Sequence, residues 1–249
     1  MRWVEDENYH YNGKLIPYQV ATVVPCECQY DKMFKRYNPT ETFSTEEKKH
    51  LFTTAETDQD NRPHFEIAAD FVRHIEKYKE IGQWLYIFGD EKRAKELSDK
   101  TGRDYSAYGT GKTYLMQCIA NALAHRKIPG IYVDEEKLFG DIKATYSKGS
   151  DDNEWDVLER YYRVPVLMID DMFTAPYTDW SEGKLFSILD HRVNDKKITI
   201  MTSNYAVGRI HQLLPKNGGK IASRINGQAR LVEMIGPDRR DRKKKGKTA

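Results

Sequence analysis

The stretch FGDEKRAKELSDKTGRDYSAYGTGKTY (Phe88–Tyr114) decides how the rest of the chain is read. It closes on GTGKT, the end of a loop that wraps phosphate oxygens in successive backbone N–H groups and aims the positive end of the next helix at them. The pattern G-x-x-x-x-G-K-[ST] wants a glycine five positions before Gly111, and Ser106 stands there. A glycine does close the apolar run WLYIFG, but it is Gly89, seventeen positions too early. Removing Asp90–Ser106 joins Gly89 to Ala107 and gives GAYGTGKT, a complete pattern directly after a strand-like run. Residues 90–106 therefore read as an insertion inside the loop. DEKRAKELSDK has helix-forming composition, and Gly102 can end that helix. If the ends of the excursion meet, SAYGTGKT still cradles phosphate, at a cost on the order of 1 kcal/mol if Ser106 must take a positive φ. If they do not meet, nucleotide binding fails while the fold survives.

On this reading the candidate nucleotide-binding residues are Gly89, Ser106, Gly109, Thr110, Gly111, Lys112, Thr113 and Tyr114. Lys112 would reach the β- and γ-phosphates of ATP, and the Thr113 hydroxyl would ligate Mg²⁺. The plain alternative for so short a match is a surface turn before a helix. The surrounding pattern speaks against it. From His64 the apolar residues Phe65, Ala68, Ala69, Val72 and Ile75 fall on one helical face, and Gly82 can stop the helix. Beyond it, apolar strands alternate with helical segments: WLYIF (84–88), GIYVD (130–134), VPVLMID (164–170), KITIMTS (197–203) and ARLVEMI (229–235). Helices are expected after Lys112, over about 179–194, and around 205–214 and 219–226. Strands apolar on both faces suit a parallel sheet covered by helices on each side.

VLMIDD (166–171) ends such a strand in two carboxylates. In a phosphate-loop ATPase the first, Asp170, would hold Mg²⁺ through its water shell, and the second, Asp171, would polarise the attacking water as general base. A single Asp there would read as a helix cap. ITIMTSN (198–204) puts Asn204 at another strand tip, where it could orient the lytic water or serve as an ordinary turn residue. The order of phosphate loop, acidic strand end and polar strand end favours an ATPase core.

Composition sets the remaining bounds. The chain has 249 residues and a formal charge of +2, from 40 basic and 38 acidic residues. Residues 237–249 (PDRRDRKKKGKTA) hold seven Lys or Arg against two Asp. Such a tail suits a phosphate backbone or another acidic partner, and equally a solvated terminus. Three cysteines make no disulfide framework. No apolar run approaches the roughly 20 residues that span a bilayer, and the N-terminus lacks a signal-peptide layout. A soluble, cytoplasmic protein without membrane contact is expected.

Together GTGKTYLMQCIANAL, VLMIDDM and ITIMTSN resemble the AAA+ ATPases of the DnaC/DnaI helicase-loader family, with IstB-type transposition helpers as close cousins; the resemblance covers about residues 65–236. It implies an AAA+ phosphate-loop core, a three-layer α/β/α sandwich on a five-stranded parallel sheet, with a short N-terminal appendage and no full helical lid. It implies an N-terminal partner-binding region and connector over 1–63, an ATPase domain over 64–236 and a basic tail over 237–249. The implied activity is ATP-dependent loading of a replicative ring helicase onto single-stranded DNA, with ATP at the subunit interfaces of a homo-oligomer. In such proteins a neighbour supplies an arginine finger, and the residue at the matching place in KIASRINGQARLVEM is Arg224; a surface salt bridge is the plain alternative. GPDRRD (236–241) resembles the family's closing G-x-x-R element, which brings Arg239 or Arg240 toward the nucleotide.

Two further readings follow. PCECQYDKMFKRY (25–37) resembles the C-x-C-Q element of loaders with a zinc-binding N-terminal part. Here Cys26 and Cys28 supply two donors, His10 is a doubtful third, and tetrahedral Zn²⁺ wants four; two reduced cysteines are the other reading. His125, Arg126, Lys127, Lys137, Lys143 and Lys148 could line a DNA groove with Tyr146 stacked on a base, or form a solvated charged face. An IstB-type helper, or a helicase-binding protein whose nucleotide site has degenerated, remain open alternatives.

Overall fold

The five apolar runs all form strands: β1 (Trp84–Phe88), β2 (Gly130–Asp134), β3 (Val166–Met172), β4 (Ile198–Ser203) and β5 (Ala229–Glu233). They pair in parallel throughout, in the spatial order β2-β3-β4-β1-β5. The structure, a computed structural model, describes residues 27–147 and 153–240, with four short strand segments nearer the N-terminus. Every residue of β1 and β4 is buried, as central strands covered on both faces require.

The helices that follow are α1 (Arg62–Arg73), α2 (Ile75–Ile81), α3 (Glu91–Thr101), α4 (Lys112–His125), α5 (Glu135–Ala144), α6 (Glu154–Arg163), α7 (Asp179–Asn194) and α8 (Gly218–Gln228), and all but α3 place residues in the apolar layers on the sheet. Phe65 and Phe71 of α1 and Leu115 and Ile119 of α4 pack with Leu85 and Ile87 on one face. Leu138 of α5, Leu158 of α6, Leu185 and Ile188 of α7 and Ile225 of α8 pack with Trp84 and Tyr86 on the other. The result is the α/β/α sandwich that the sequence implies.

The helical run from His64 breaks at His74 and ends at Gly82, whose φ of +67° caps α2. The helix expected over 205–214 resolves into a 3₁₀ turn at Val207–Arg209 and one helical turn at Ile210–Leu213. Pro215 stops it there, because Leu214 before it must be extended and takes φ −124°, ψ 92°. Helices α5 and α6 join β2 to β3 and stand outside the helices foreseen from the sequence.

The chain divides into two compact units, Met1–Met33 and Phe34–Ala249. In the first, Arg2–Val4 pairs with Tyr18–Val20 and His10–Tyr11 with Lys14–Leu15, both antiparallel. The division falls earlier than the boundary expected at residue 63. Residues 34–63 belong with the core because Phe43 is buried in it and Asn121 of α4 donates to the carbonyls of Glu47 and His50, each at 2.8 Å. Cys26 lies outside the described residues, as does the side chain of Cys28. Among the described residues no helix is long and apolar enough to cross a membrane.

One buried charge ties the layers together. Arg192, at the end of α7, is fully buried. Its guanidinium donates to the carbonyls of Tyr161 (2.7 Å), Tyr162 (3.3 Å), Val164 (2.9 Å) and Ile198 and to the Thr199 hydroxyl (2.9 Å). Arg192 is thus a structural clamp between α6, α7 and β4.

Candidate functional site

The inserted excursion closes on itself. Asp90 caps α3 by accepting from the Arg93 N–H at 3.1 Å, and Gly102 ends it at φ +69°. The Ser98 hydroxyl accepts from the Tyr105 N–H at 2.9 Å and turns the chain back. Gly89 and Ala107 then abut: a Cβ on Gly89 would lie 2.5 Å from the Ala107 carbonyl oxygen and 2.9 Å from its Cβ. Only glycine fits this approach, so Gly89 belongs to the loop in space although seventeen residues separate it from Ala107. Ser106 has no positive φ, so the cost attached to that conformation does not arise. It pairs instead with Gly236 through two backbone hydrogen bonds of 2.8 and 3.2 Å.

Beyond Ser106 the loop takes the left-handed conformations that glycine supplies, with φ +64° at Gly109 and +100° at Gly111. Lys112 opens α4 and is 7% exposed, its Nζ donating to the Ala107 carbonyl at 2.6 Å. Burial pulls its pKa down to about 8, against Asp171 and Asp170, with Arg240 adding to the fall. A buried cation short of counter-charge and the buried, unpartnered Thr110 hydroxyl fit an anionic ligand at this loop.

The carboxylate pair sits at the tip of β3. Asp170 is buried and accepts from the hydroxyls of Tyr132 (2.6 Å) and Thr202. Asp171 takes φ +52°, donates its N–H to the Thr202 hydroxyl at 2.8 Å, and accepts from Asn204 Nδ2 at 3.1 Å. Partial burial and then the neighbouring Asp170 hold the Asp171 carboxyl above the ordinary range, against Lys112 and Arg240. Thr113, Asp171, Thr202 and Asn204 line one cavity of about 610 Å³ with the loop, while Asp170 stands behind it. An all-oxygen set of Thr113 and two aspartates suits Mg²⁺, which keeps several waters.

The C-terminal strap closes the same cavity. The Arg239 N–H donates to the Gly109 carbonyl at 2.9 Å, its guanidinium holds Asp58 at 2.8 Å, and both Arg239 and Arg240 line the cavity. Arg224 stands elsewhere: it is not among the lining residues, and its Nε and Nη2 grip one oxygen of Asp190 at 2.9 and 2.7 Å, beside the Phe186 ring. Among the basic residues considered for DNA, Lys137 pairs with Asp141 at 3.0 Å and Lys143 lies over Trp180 at 5.3 Å. Tyr146 is 57% exposed, accepts from Trp180 Nε1 at 3.1 Å and bonds Glu154. Lys148 lies outside the described residues.

The far wall of the cavity comes from the supposed connector. His50 and Thr54, with Phe65 of α1 beside them, face Tyr114, and the His50 and Tyr114 rings are 4.4 Å apart. Gln117 fixes this wall: its Oε1 pairs with His50 Nδ1 at 2.6 Å and its Nε2 donates to Glu47 at 2.9 Å. Since that amide oxygen accepts, Nδ1 carries the proton. Gln117 and Asn121, a polar pair four residues apart on an otherwise apolar helix, were the readable signal for this docking.

With the geometry in place, comparison with known proteins is direct. The IstB-like ATP binding protein family matches residues 105–247, more than half of the chain, and the chain belongs to this family. The match begins just past the inserted helix. An ATP-binding protein from an insertion sequence of Mycobacterium tuberculosis is 27% identical over 143 residues, 56% of this chain and 55% of that one. The replicative helicase loader DnaI of Bacillus subtilis is 27% identical over 134 residues, 53% of this chain and 41% of that one. The chain thus spans about half the length, or less, of these curated relatives. A crystal structure of DnaI superposes at a TM-score of 0.58 with 25% identity over 79% of this chain and 94% of that one. The DnaC helicase loader superposes at 0.59 with 22% identity, over 77% and 99%, which speaks to the fold. The chain is an AAA+ ATPase-family protein related to helicase loaders and transposition helpers.

Proposed function

We propose that this IstB-family protein is an ATP-dependent loader that places a ring helicase on single-stranded DNA. The observation that carries the ATPase half is the closure of the excursion at Gly89 and Ala107, which leaves the loop, Asp171 and Asn204 around one cavity. The backbone from Gly109 to Gly111 would wrap the phosphates, Lys112 would neutralise them, and Thr113 and Asp170 would hold Mg²⁺. Mg²⁺, when bound, draws off charge from the phosphate oxygens. Asp171 accepts the proton of the attacking water, and its raised pKa brings it closer to that task at neutral pH. Asn204, bonded to Asp171, orients the water. Arg239 and Arg240 meet negative charge on the phosphates from the strap side. Arg224 serves a neighbouring subunit's site, which requires release from Asp190.

The loader half is supported by the match to DnaI in sequence and in structure, and by the C-x-C-Q element ahead of the core. The N-terminal residues ahead of the core unit, through Met33, then carry partner binding, and the basic residues that follow Arg240 meet phosphate backbone. Helix α5 and Tyr146 offer charge and an exposed ring to single-stranded DNA. A second reading, a transposition helper acting on duplex DNA, is favoured by the family match and the insertion-sequence relative. Binding to single-stranded and duplex DNA, with ATP and over a salt series, separates the two. The loader reading expects ATP-dependent, salt-sensitive capture of single strands and co-elution with a ring helicase. Preference for duplex without helicase binding would support the second.

A further inference from the structure

The tip of β3 is held in a shape its own residues disfavour. Asp171 and Phe173 take φ +52° and +68°, a region that residues with a Cβ rarely enter. The ladder to β4 slips between Ile169 and Met172. From the β4 side the tip is tied by Thr202, which accepts from the Asp171 N–H at 2.8 Å, and by Ser203, whose hydroxyl donates to the Met172 carbonyl at 3.0 Å. From the β2 side the restraint comes from Glu135, the first residue of α5. It is 4% exposed, and its Oε1 accepts from the Phe173 N–H at 2.9 Å and from the Tyr177 hydroxyl. Its Oε2 accepts from the Thr174 N–H at 3.3 Å.

We propose that Glu135 is a positioning residue for hydrolysis: it pins the backbone that follows Asp171, so that the Asp171 carboxylate stays beside Asn204. The inference rests on Asp171 as the general base. Glu135 is absent from the cavity lining, so it acts through the backbone and not on the nucleotide. Its carboxylate is also an unfavourable thing to bury. Burial pushes its pKa up to about 7, against the backbone N–H groups of Phe173, Thr174 and Ala175, with Asp171 adding to the rise. The folded state therefore holds this proton more tightly than the unfolded chain. The carboxylate's contribution to stability falls as pH rises from its ordinary value of 4.5 through about 7, and the penalty is complete by about pH 8. A group kept only to fill space would not be an acid at this position.

The test uses the full chain as wild type, Glu135→Gln, Glu135→Ala and Asp171→Asn, measuring affinity for a fluorescent ATP analogue, single-turnover hydrolysis and melting temperature at pH 8. Displacing a reacting group by about 1 Å costs on the order of 100-fold in rate. Glu135→Ala is expected to lose about that much turnover. Glu135→Gln, which keeps one acceptor, loses less. Nucleotide affinity stays unchanged in both, and the melting temperature of Glu135→Gln is unchanged or higher. Wild-type turnover in both Glu135 variants beside a dead Asp171→Asn would overturn the positioning role and leave the base intact. An active Asp171→Asn, or an inactive wild type, overturns both. Turnover, affinity and melting temperature falling together in both variants would mark Glu135 as a structural prop and overturn the proposal.

Discussion

Replacing Gly109 with alanine tests how the C-terminal strap is seated on the phosphate loop. Two separate costs are built into that position. Its φ of +64° is one, worth about 1 kcal/mol for a residue with a Cβ. The other is steric: the new Cβ would lie 2.0 Å from Oδ1 and 2.3 Å from Cγ of Asp238. Asp238 must move, and the strap moves with it. The strap's bond from the Arg239 N–H to Gly109 and its grip on Asp58 are worth about 1 and about 1.5 kcal/mol. Gly109→Ala should therefore destabilise by about 2–4 kcal/mol. It should also weaken nucleotide binding, because Arg239 and Arg240 leave the cavity. Asp238→Ala removes the obstacle and sacrifices one bond to the Arg240 N–H at 2.9 Å. Beyond the loss of that bond the double variant should retain mainly the φ cost, so the cycle should return a coupling of about 1–3 kcal/mol. Denaturant unfolding and fluorescent-nucleotide titration of the four proteins measure it. Additivity within about 0.5 kcal/mol would falsify the contact.

Arg192→Met leaves the carbonyls of Tyr161, Tyr162, Val164 and Ile198 without their donor, so denaturant unfolding should register a loss of about 3–5 kcal/mol. Arg192→Lys should recover little of it, since an ammonium cannot span that fork. Lys112, with its pKa near 8 in the free protein, is largely neutral above that pH, while bound phosphates favour its charged form. ATP binding should thus take up as much as one proton between about pH 8 and 10, seen by calorimetry in buffers of different ionisation enthalpy, and affinity should fall across that window. The same burial cost is fully present below about pH 8 and relaxes as pH rises toward 10.5, so the free protein should lose less stability there than its other groups dictate. Asn204→Ala should lower turnover by about 10- to 100-fold with little change in nucleotide affinity, because Asn204 reaches Asp171 and not the loop.

Much of this was legible in the residues. Strand runs apolar on both faces fix a covered parallel sheet, and GTGKT, VLMIDD and ITIMTSN fall at neighbouring strand ends because that sheet brings them there. The excursion was legible too: DEKRAKELSDK forms the helix its composition suggests and Gly102 ends it, while the structure adds Asp90 as its cap. What the sequence hid is tertiary. Residues 38–63 look like a polar connector, yet Glu47 and His50 are captured by Gln117 and Asn121 and form the far wall of the cavity. Helix α6 stood outside the helices expected from the sequence, although Val157, Leu158, Tyr161 and Tyr162 carry helical spacing and are its buried face. Glu135 looks like any acid at a helix N-terminus, where the dipole favours it. Only the fold sets it beneath the β3 tip, and only backbone angles show that Asp171 and Phe173 need holding. Arg224 looked like a finger or a surface ion pair, and the single chain displays the ion pair with Asp190.

The central claim is that seventeen inserted residues leave the phosphate loop intact. It is tested most directly by ATP binding and turnover of the intact chain beside a variant lacking 90–106, in which Gly89 joins Ala107. Because those residues already abut, the two proteins should bind ATP alike and hydrolyse it at rates within a few-fold of each other. An intact chain that neither binds nor hydrolyses ATP, beside a shortened chain that does both, would contradict the claim.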